Sequence, residues 1–274
     1  MVHFANYCLR SRQKPEIRMN QQNPNPDTGN FKGEMFLYSE PELLNARDHG
    51  GLGINPSRQS YAFARSAKFV PIAAAEIVSA QRHYPIVFSG PKQPTPLAVL
   101  SLLDSDNLFV DENGEWAPGA YIPAYLRCHP FAVATRSDDQ FSVVIDRATP
   151  CIAENAEQPF FDGNKELTAA IQSRVDYCAT YHSYLKATTS LGEKLSELDL
   201  LNGQQANFDV DGTGETQSSK TYIAVDVEKF GKIDAEILHG LHADGTLSAI
   251  YAHLFSLDNW NALLERYKRQ KAAG

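Results

Sequence analysis

The sequence predicts an α+β fold in which a strand-rich N-terminal half, built of hairpins, packs against a mainly helical C-terminal half. Three observations carry that expectation. Short apolar runs of strand type, Ile86–Phe88 and Leu97–Leu103, are bounded by loops rich in proline and glycine. Two turn signals, Asn113-Gly114 and Ser137-Asp138-Asp139, separate further runs of the same kind. Beyond Asn164 the apolar spacing changes to the helical period, through Leu167, Ala170, Ile171, Val175, Cys178, Tyr181 and Leu185.

The composition permits a packed core. Hydrophobic residues make up 43% of the 274 positions and charged residues 21%. The net charge is −8 with no cluster of Lys or Arg, which argues against a nucleic-acid partner. Four cysteines stand apart, Cys8, Cys128, Cys151 and Cys178, with no CxxC pair for a zinc ribbon or a thioredoxin-like site, and they are expected to be reduced. No window approaches the length of a membrane span and the first twenty residues lack an apolar signal core, so a soluble cytoplasmic protein is expected.

Residues 1–34 are expected to form a disordered leader, because Gln21–Asn30 is rich in Pro, Asn, Asp and Gly and carries no periodicity. Residues 35–274 are expected to form a single domain around one shared core. Pro41–Pro71 reads as extended and turn-rich. Pro71 suits the first turn of a helix over Ile72–Tyr84, which Pro85 stops. Ile86–Phe88 and Leu97–Leu103 follow as strands, then a hairpin over Asn107–Trp116, and a short helix or corner over Tyr121–Cys128. Ala132–Thr135 and Phe141–Ile145 form a second hairpin. Asn164 can cap the long helix. Gln205–Val210 and Thr221–Val225 make a third hairpin or a loop and strand, and Asp226 can cap the helix that follows. Asp244-Gly245 ends that helix, and Thr246–Phe255 and Asp258–Arg269 are two more.

With these elements in order, the chain resembles the SapC family, a bacterial group named after a surface-layer locus. The letters that carry the resemblance are FLYSEPELLN (Phe36–Asn45), His49, YAFA (Tyr61–Ala64), VPIAAAE (Val70–Glu76), YPIVF (Tyr84–Phe88), GAYIPAYLRCHPF (Gly119–Phe131), PFFD with Gly163, and DGTLSAIYAHLFSLDNW (Asp244–Trp260). Arg127-Cys128-His129 departs mildly from the family's usual residues before Pro-Phe. The resemblance implies an accessory protein associated with surface-layer or outer-membrane nutrient-uptake loci. It brings no catalytic residues and no cofactor.

Three constellations are candidates for chemistry or binding. Arg127, set among Trp116, Tyr121, Tyr125 and His129, can bind an anion or stack a planar ligand; alternatively it is a structural arginine that holds the corner through backbone carbonyls. His239, His242 and His253 can offer three imidazoles to a metal, although no HExxH spacing accompanies them. Asn207-Asp209-Asp211-Gly212 imitates the start of a calcium loop, but its twelfth position is Ser218, where a bidentate Glu is required, and a polar turn is the simpler reading. No G-x-S-x-G elbow and no phosphate-binding glycine loop occurs. Two functional expectations follow. The first is a non-enzymatic accessory protein that binds a small molecule, peptide or protein partner near Trp116–Phe131, with a homodimer left open. The second is a metal-assisted enzyme at His239, His242 and His253.

Overall fold

Ile86–Phe88 lies at the centre of the largest sheet, and the rest of the fold is arranged around it. The structure, a computed structural model, describes residues 35–137 and 140–273. The expected leader, residues 1–34, lies outside the described residues, as do Asp138 and Asp139 at the tip of the second hairpin.

The N-terminal half runs through β1 (Pro41–Leu43), α1 (Ala46–His49), β2 (Leu52–Ile54), β3 (Phe69–Pro71), α2 (Ile77–Ala80), β4 (Ile86–Phe88), β5 (Pro96–Val99) and α3 (Ala124–Cys128). Then come the hairpin β6 (Phe131–Ser137) and β7 (Gln140–Asp146), and the short strands β8 (Ile152–Glu154) and β9 (Gln158–Pro159). The long helix α4 (Ala169–Glu197) leads to the hairpin β10 (Leu201–Phe208) and β11 (Ser218–Val225). The chain closes with α5 (Val227–Phe230), α6 (Ala235–Ala243), α7 (Thr246–Ser256) and α8 (Asn259–Ala273). The class is α+β, with antiparallel sheets in the strand-rich first half and helices dominating the second.

Among the described residues the strands form three sheets, ordered β1-β7-β6, β10-β11-β4-β5-β3 and β8-β2-β9. The third hairpin of the sequence therefore does not stand apart. Ile223 pairs with Phe88 and joins β10–β11 to the sheet of the first half. The one shared core expected is instead two clusters. One packs the five-stranded sheet against α7 and α8 through Ile86, Leu100, Ile250 and Leu263. The other gathers Ile54, Phe131, Ile145, Phe160 and Val175 between the two smaller sheets and α4. The long helix serves both, with Ile171, Val175 and Cys178 in the second and Leu191 and Leu195 in the first. Gly192 lets that helix pass against the loop before β5, where a Cβ would lie 2.1 Å from the Pro94 carbonyl oxygen.

Several expected elements are shorter because tertiary bonds override local propensity. The helix over Ile72–Tyr84 is reduced to a 3-10 turn at Ala74–Glu76 and α2. Ile72 donates its N–H to Pro96 as part of the sheet, and Ala74 donates to the Thr188 hydroxyl, 2.8 Å away. The Asn107–Trp116 hairpin keeps its turn, with Gly114 at φ +79, but its pairing shrinks to one bridge between Val110 and Trp116. Asp111 takes over the closure: its Oδ1 accepts from the N–H groups of Asn113 and Glu115. α4 starts after Thr168 rather than Asn164, because Asp162 holds residues 162–166 in a turn through the N–H groups of Asn164 and Glu166. Asp226 caps α5 as expected, accepting from Glu228 and Lys229.

Candidate functional site

Glu76, only 6% exposed, organises the corner between α2 and α3. Its Oε2 accepts from the Ala73 N–H at 2.8 Å, and its Oε1 accepts from the Ala124 N–H at 2.6 Å and the Tyr121 hydroxyl at 2.9 Å. A buried carboxylate needs such donors to offset its lost hydration. The effect is to fix the first turn of α3 and the ring of Tyr121 on the head of α2. Tyr84 adds a second tie, donating its hydroxyl to the Tyr121 carbonyl.

Arg127, in the last turn of α3, is exposed and extends over that fixed ring. Its Nη2 donates to the Tyr121 hydroxyl at 3.0 Å, and the guanidinium carbon lies 5.3 Å from the centroid of Tyr121 and 5.1 Å from that of Tyr177. Its hydrogen bond among the described residues goes to the Tyr121 hydroxyl and not to a backbone carbonyl. Among the described residues no carboxylate forms an ion pair with it. The aromatic surface continues past the arginine. Tyr125 stands edge-on to Tyr181 at 6.3 Å, packs on the exposed ring of Phe36 at 5.9 Å, and donates its hydroxyl to the Phe36 carbonyl. Burial raises the phenol of Tyr177 to about 12, and raises Tyr121, Tyr125 and Tyr181 further, so each keeps its proton as a neutral donor.

Two expected members are not on this surface. Trp116 is buried, stacked on Phe109 at 5.9 Å and edge-on to Tyr61. His129, 3% exposed, is stacked on Phe63 at 3.7 Å and donates its Nε2–H to Asp146 at 3.1 Å. Glu76, Tyr177, Tyr181 and Phe36 join the site from elsewhere in the chain. Tyr177 and Tyr181 were readable as one helix face, four residues apart, but nothing local places that face against α3.

The histidine trio does not come together. His253 is fully buried, donating its Nδ1–H to the Ile86 carbonyl at 2.8 Å and accepting the Val225 N–H on Nε2 at 3.1 Å. Both ring nitrogens are thereby used, and desolvation lowers its pKa to about 4. His239 and His242 are exposed on α6. Among the described residues no group of three His, Cys, Asp or Glu side chains is placed to hold a metal. The calcium-like stretch is the turn of the β10–β11 hairpin, with both Asp209 oxygens accepting from the N–H groups of Thr213 and Gly214. An open apolar groove between α2 and α7 is lined by Val78, Tyr251, Ala252 and Phe255, and its polar liners, Gln81 and Ser248, are neutral.

Among the described residues no helix is long and apolar enough to cross a membrane. A protein-family model, SapC, matches residues 44–263. No curated protein and no solved structure matches the chain.

Proposed function

The chain belongs to the SapC family, whose match takes in most of its length, and on that premise we propose that it is a non-enzymatic binding protein whose recognition surface is the Arg127 corner. The observation that carries this reading is an exposed guanidinium layered on two tyrosine rings, with no ion pair to a carboxylate among the described residues. A planar fork of donors held in place by an aromatic stack suits a carboxylate or another planar anionic group. The neighbouring phenols supply apolar faces and neutral hydroxyls, a combination common at recognition surfaces. The polar groups buried nearby are occupied in holding the scaffold: Glu76 by Ala73, Ala124 and Tyr121, and His129 by Asp146. The partner is a small molecule, a peptide or a protein presenting such a group. An accessory role at the envelope, in surface-layer or nutrient-uptake systems, is the finer form of this reading.

The test is a ligand-observed NMR screen of carboxylate-bearing small molecules and acidic peptides. Hits that bind wild type and not Arg127→Ala, with the fold intact by circular dichroism, support the reading. Hits that bind both equally move recognition elsewhere on the molecule.

A further inference from the structure

Among the described residues, β10 forms one edge of the five-stranded sheet. The register fixes which half of its backbone faces outward. Leu201 pairs with Val225, and Val225 donates its N–H away from β10, to His253. One residue earlier, the Asp226 N–H bonds the Leu200 carbonyl at 2.7 Å. Antiparallel pairing alternates bonded and non-bonded positions, so the even residues of β10 bond β11 and the odd ones point outward. Leu201, Gly203, Gln205 and Asn207 thus turn their N–H and C=O groups to the outer side of the strand, where Gly203, Gln205 and Asn207 are exposed and Leu201, at its start, is buried. Among the described residues their one hydrogen bond is from the Gly203 N–H to the exposed side chain of Asn202, 2.8 Å away.

Edges of this length are normally guarded by lysine, proline or a bulge. β10 has none of these: its sequence is LNGQQANF, and it pairs with β11 without a register shift. It is also uncharged along its whole length, in a chain of net charge −8. The four outward residues are symmetric about Gln204. A second copy laid antiparallel about Gln204 would match the exposed Gly203 with the exposed Gln205, and then the reverse, with Asn207 meeting the buried start of the partner strand at Leu201. Because the strand is neutral, that apposition brings no like charges together, which an acidic chain requires of a self-contact. We propose that β10 is the seam of a two-fold homodimer, formed when the edges of two copies pair and continue the sheet from one molecule into the other. The Asn202 side chain releases the Gly203 N–H when the second strand arrives.

The experiment is sedimentation equilibrium of the full chain at micromolar concentrations, with two variants. In Gln205→Pro the lost N–H is an outward one, so the β10–β11 ladder stays complete while the seam loses a bond and meets a ring. Gln205→Lys places two ammonium groups across the seam and keeps the backbone intact. The expected result is a wild-type dimer, and monomers for both variants with unchanged circular dichroism. If Gln205→Pro fails to fold, Gln205→Lys decides alone, and its dimer should return as salt screens the repulsion. A monomeric wild type, or a dimer that survives Gln205→Lys at low salt, overturns the proposal and leaves the edge to another occupant, such as an extended peptide.

Discussion

His129 and Asp146 meet in a buried ion-pair geometry, with Nε2 3.1 Å from Oδ2, and so tie the end of α3 to the last residue of β7. Asp146 also accepts from the N–H groups of Ser39 and Glu40, so one carboxylate joins the segment before β1 to the hairpin. Burial alone would raise its pKa. The bonds from His129, Glu40 and Ser39 outweigh that and hold it at about 2. A carboxylate depressed in the folded state stabilises the protein above its unfolded pKa, near 3.8, and loses that contribution as pH falls towards 2. The contribution is roughly 1–2 kcal/mol once solvent screening is discounted. Urea unfolding of wild type and Asp146→Asn between pH 2 and 6 should show their difference in stability shrinking over that window. A difference independent of pH would mean that the carboxylate's charge is not what matters.

His253 adds a slope of the same sign at higher pH. It is held neutral by burial, with a folded pKa of about 4 against an ordinary 6.5. The unfolded chain binds the proton first, so stability is complete above about pH 6.5 and falls as pH drops to 4. The shift corresponds to a loss of roughly 3 kcal/mol. Gln can offer an amide donor to Ile86 and an oxygen to Val225 without titrating, so His253→Gln should flatten the wild-type slope. His239→Ala and His242→Ala, at exposed positions, should leave stability within about 0.5 kcal/mol. Thermal melts at pH 5 and 7.5 compare all three.

Gly192 tests whether packing or propensity governs α4. In an open helix, Gly→Ala gains up to about 1 kcal/mol. Here the added methyl would collide with the backbone carbonyl of Pro94, 2.1 Å away, and neither backbone can yield cheaply. Overpacking of this kind costs about 1–3 kcal/mol, so the clash wins and Gly192→Ala should lower the melting temperature. A rise would show that the loop before β5 moves freely.

The parts of the fold legible in the sequence are those whose signals are local. Ile86–Phe88 is a strand because its apolar run is closed by Pro85 on one side and a proline-rich loop on the other. The β6–β7 hairpin follows from alternation on both sides of a polar turn. What was not legible depends on partners far along the chain. α2 starts late because the pairing of β3 with β5 continues to the Ile72 N–H on Pro96 and Ala73 stays extended at ψ 152. The site divides in the same way. Arg127, Tyr121 and Tyr125 lie within seven residues and were readable together. Tyr177, Tyr181 and Phe36 arrive only through tertiary packing. Trp116 and His129, drawn to the site by proximity in sequence, turn into the core because their rings find aromatic partners there.

The Arg127 corner separates scaffold from recognition most sharply. Arg127→Lys keeps the charge but loses the planar stack on Tyr121 and Tyr177 and the fork of donors. The side chain is exposed, and a cation–π contact at such a site is worth about 0.5–1 kcal/mol. The Lys variant should therefore melt within about 3 °C of wild type, given the usual scaling for chains of this size. Tyr121→Phe is the counterpart. It removes a hydroxyl that donates to buried Glu76, and leaving that carboxylate one donor short costs about 1–3 kcal/mol. If Arg127 serves recognition and Tyr121 the scaffold, the Lys variant loses affinity for any carboxylate ligand found by screening while keeping its stability. The Phe variant then loses stability first. A Lys variant that unfolds as readily as the Phe variant would make the arginine part of the Glu76 network, and the recognition surface would have to be sought at another place on the protein.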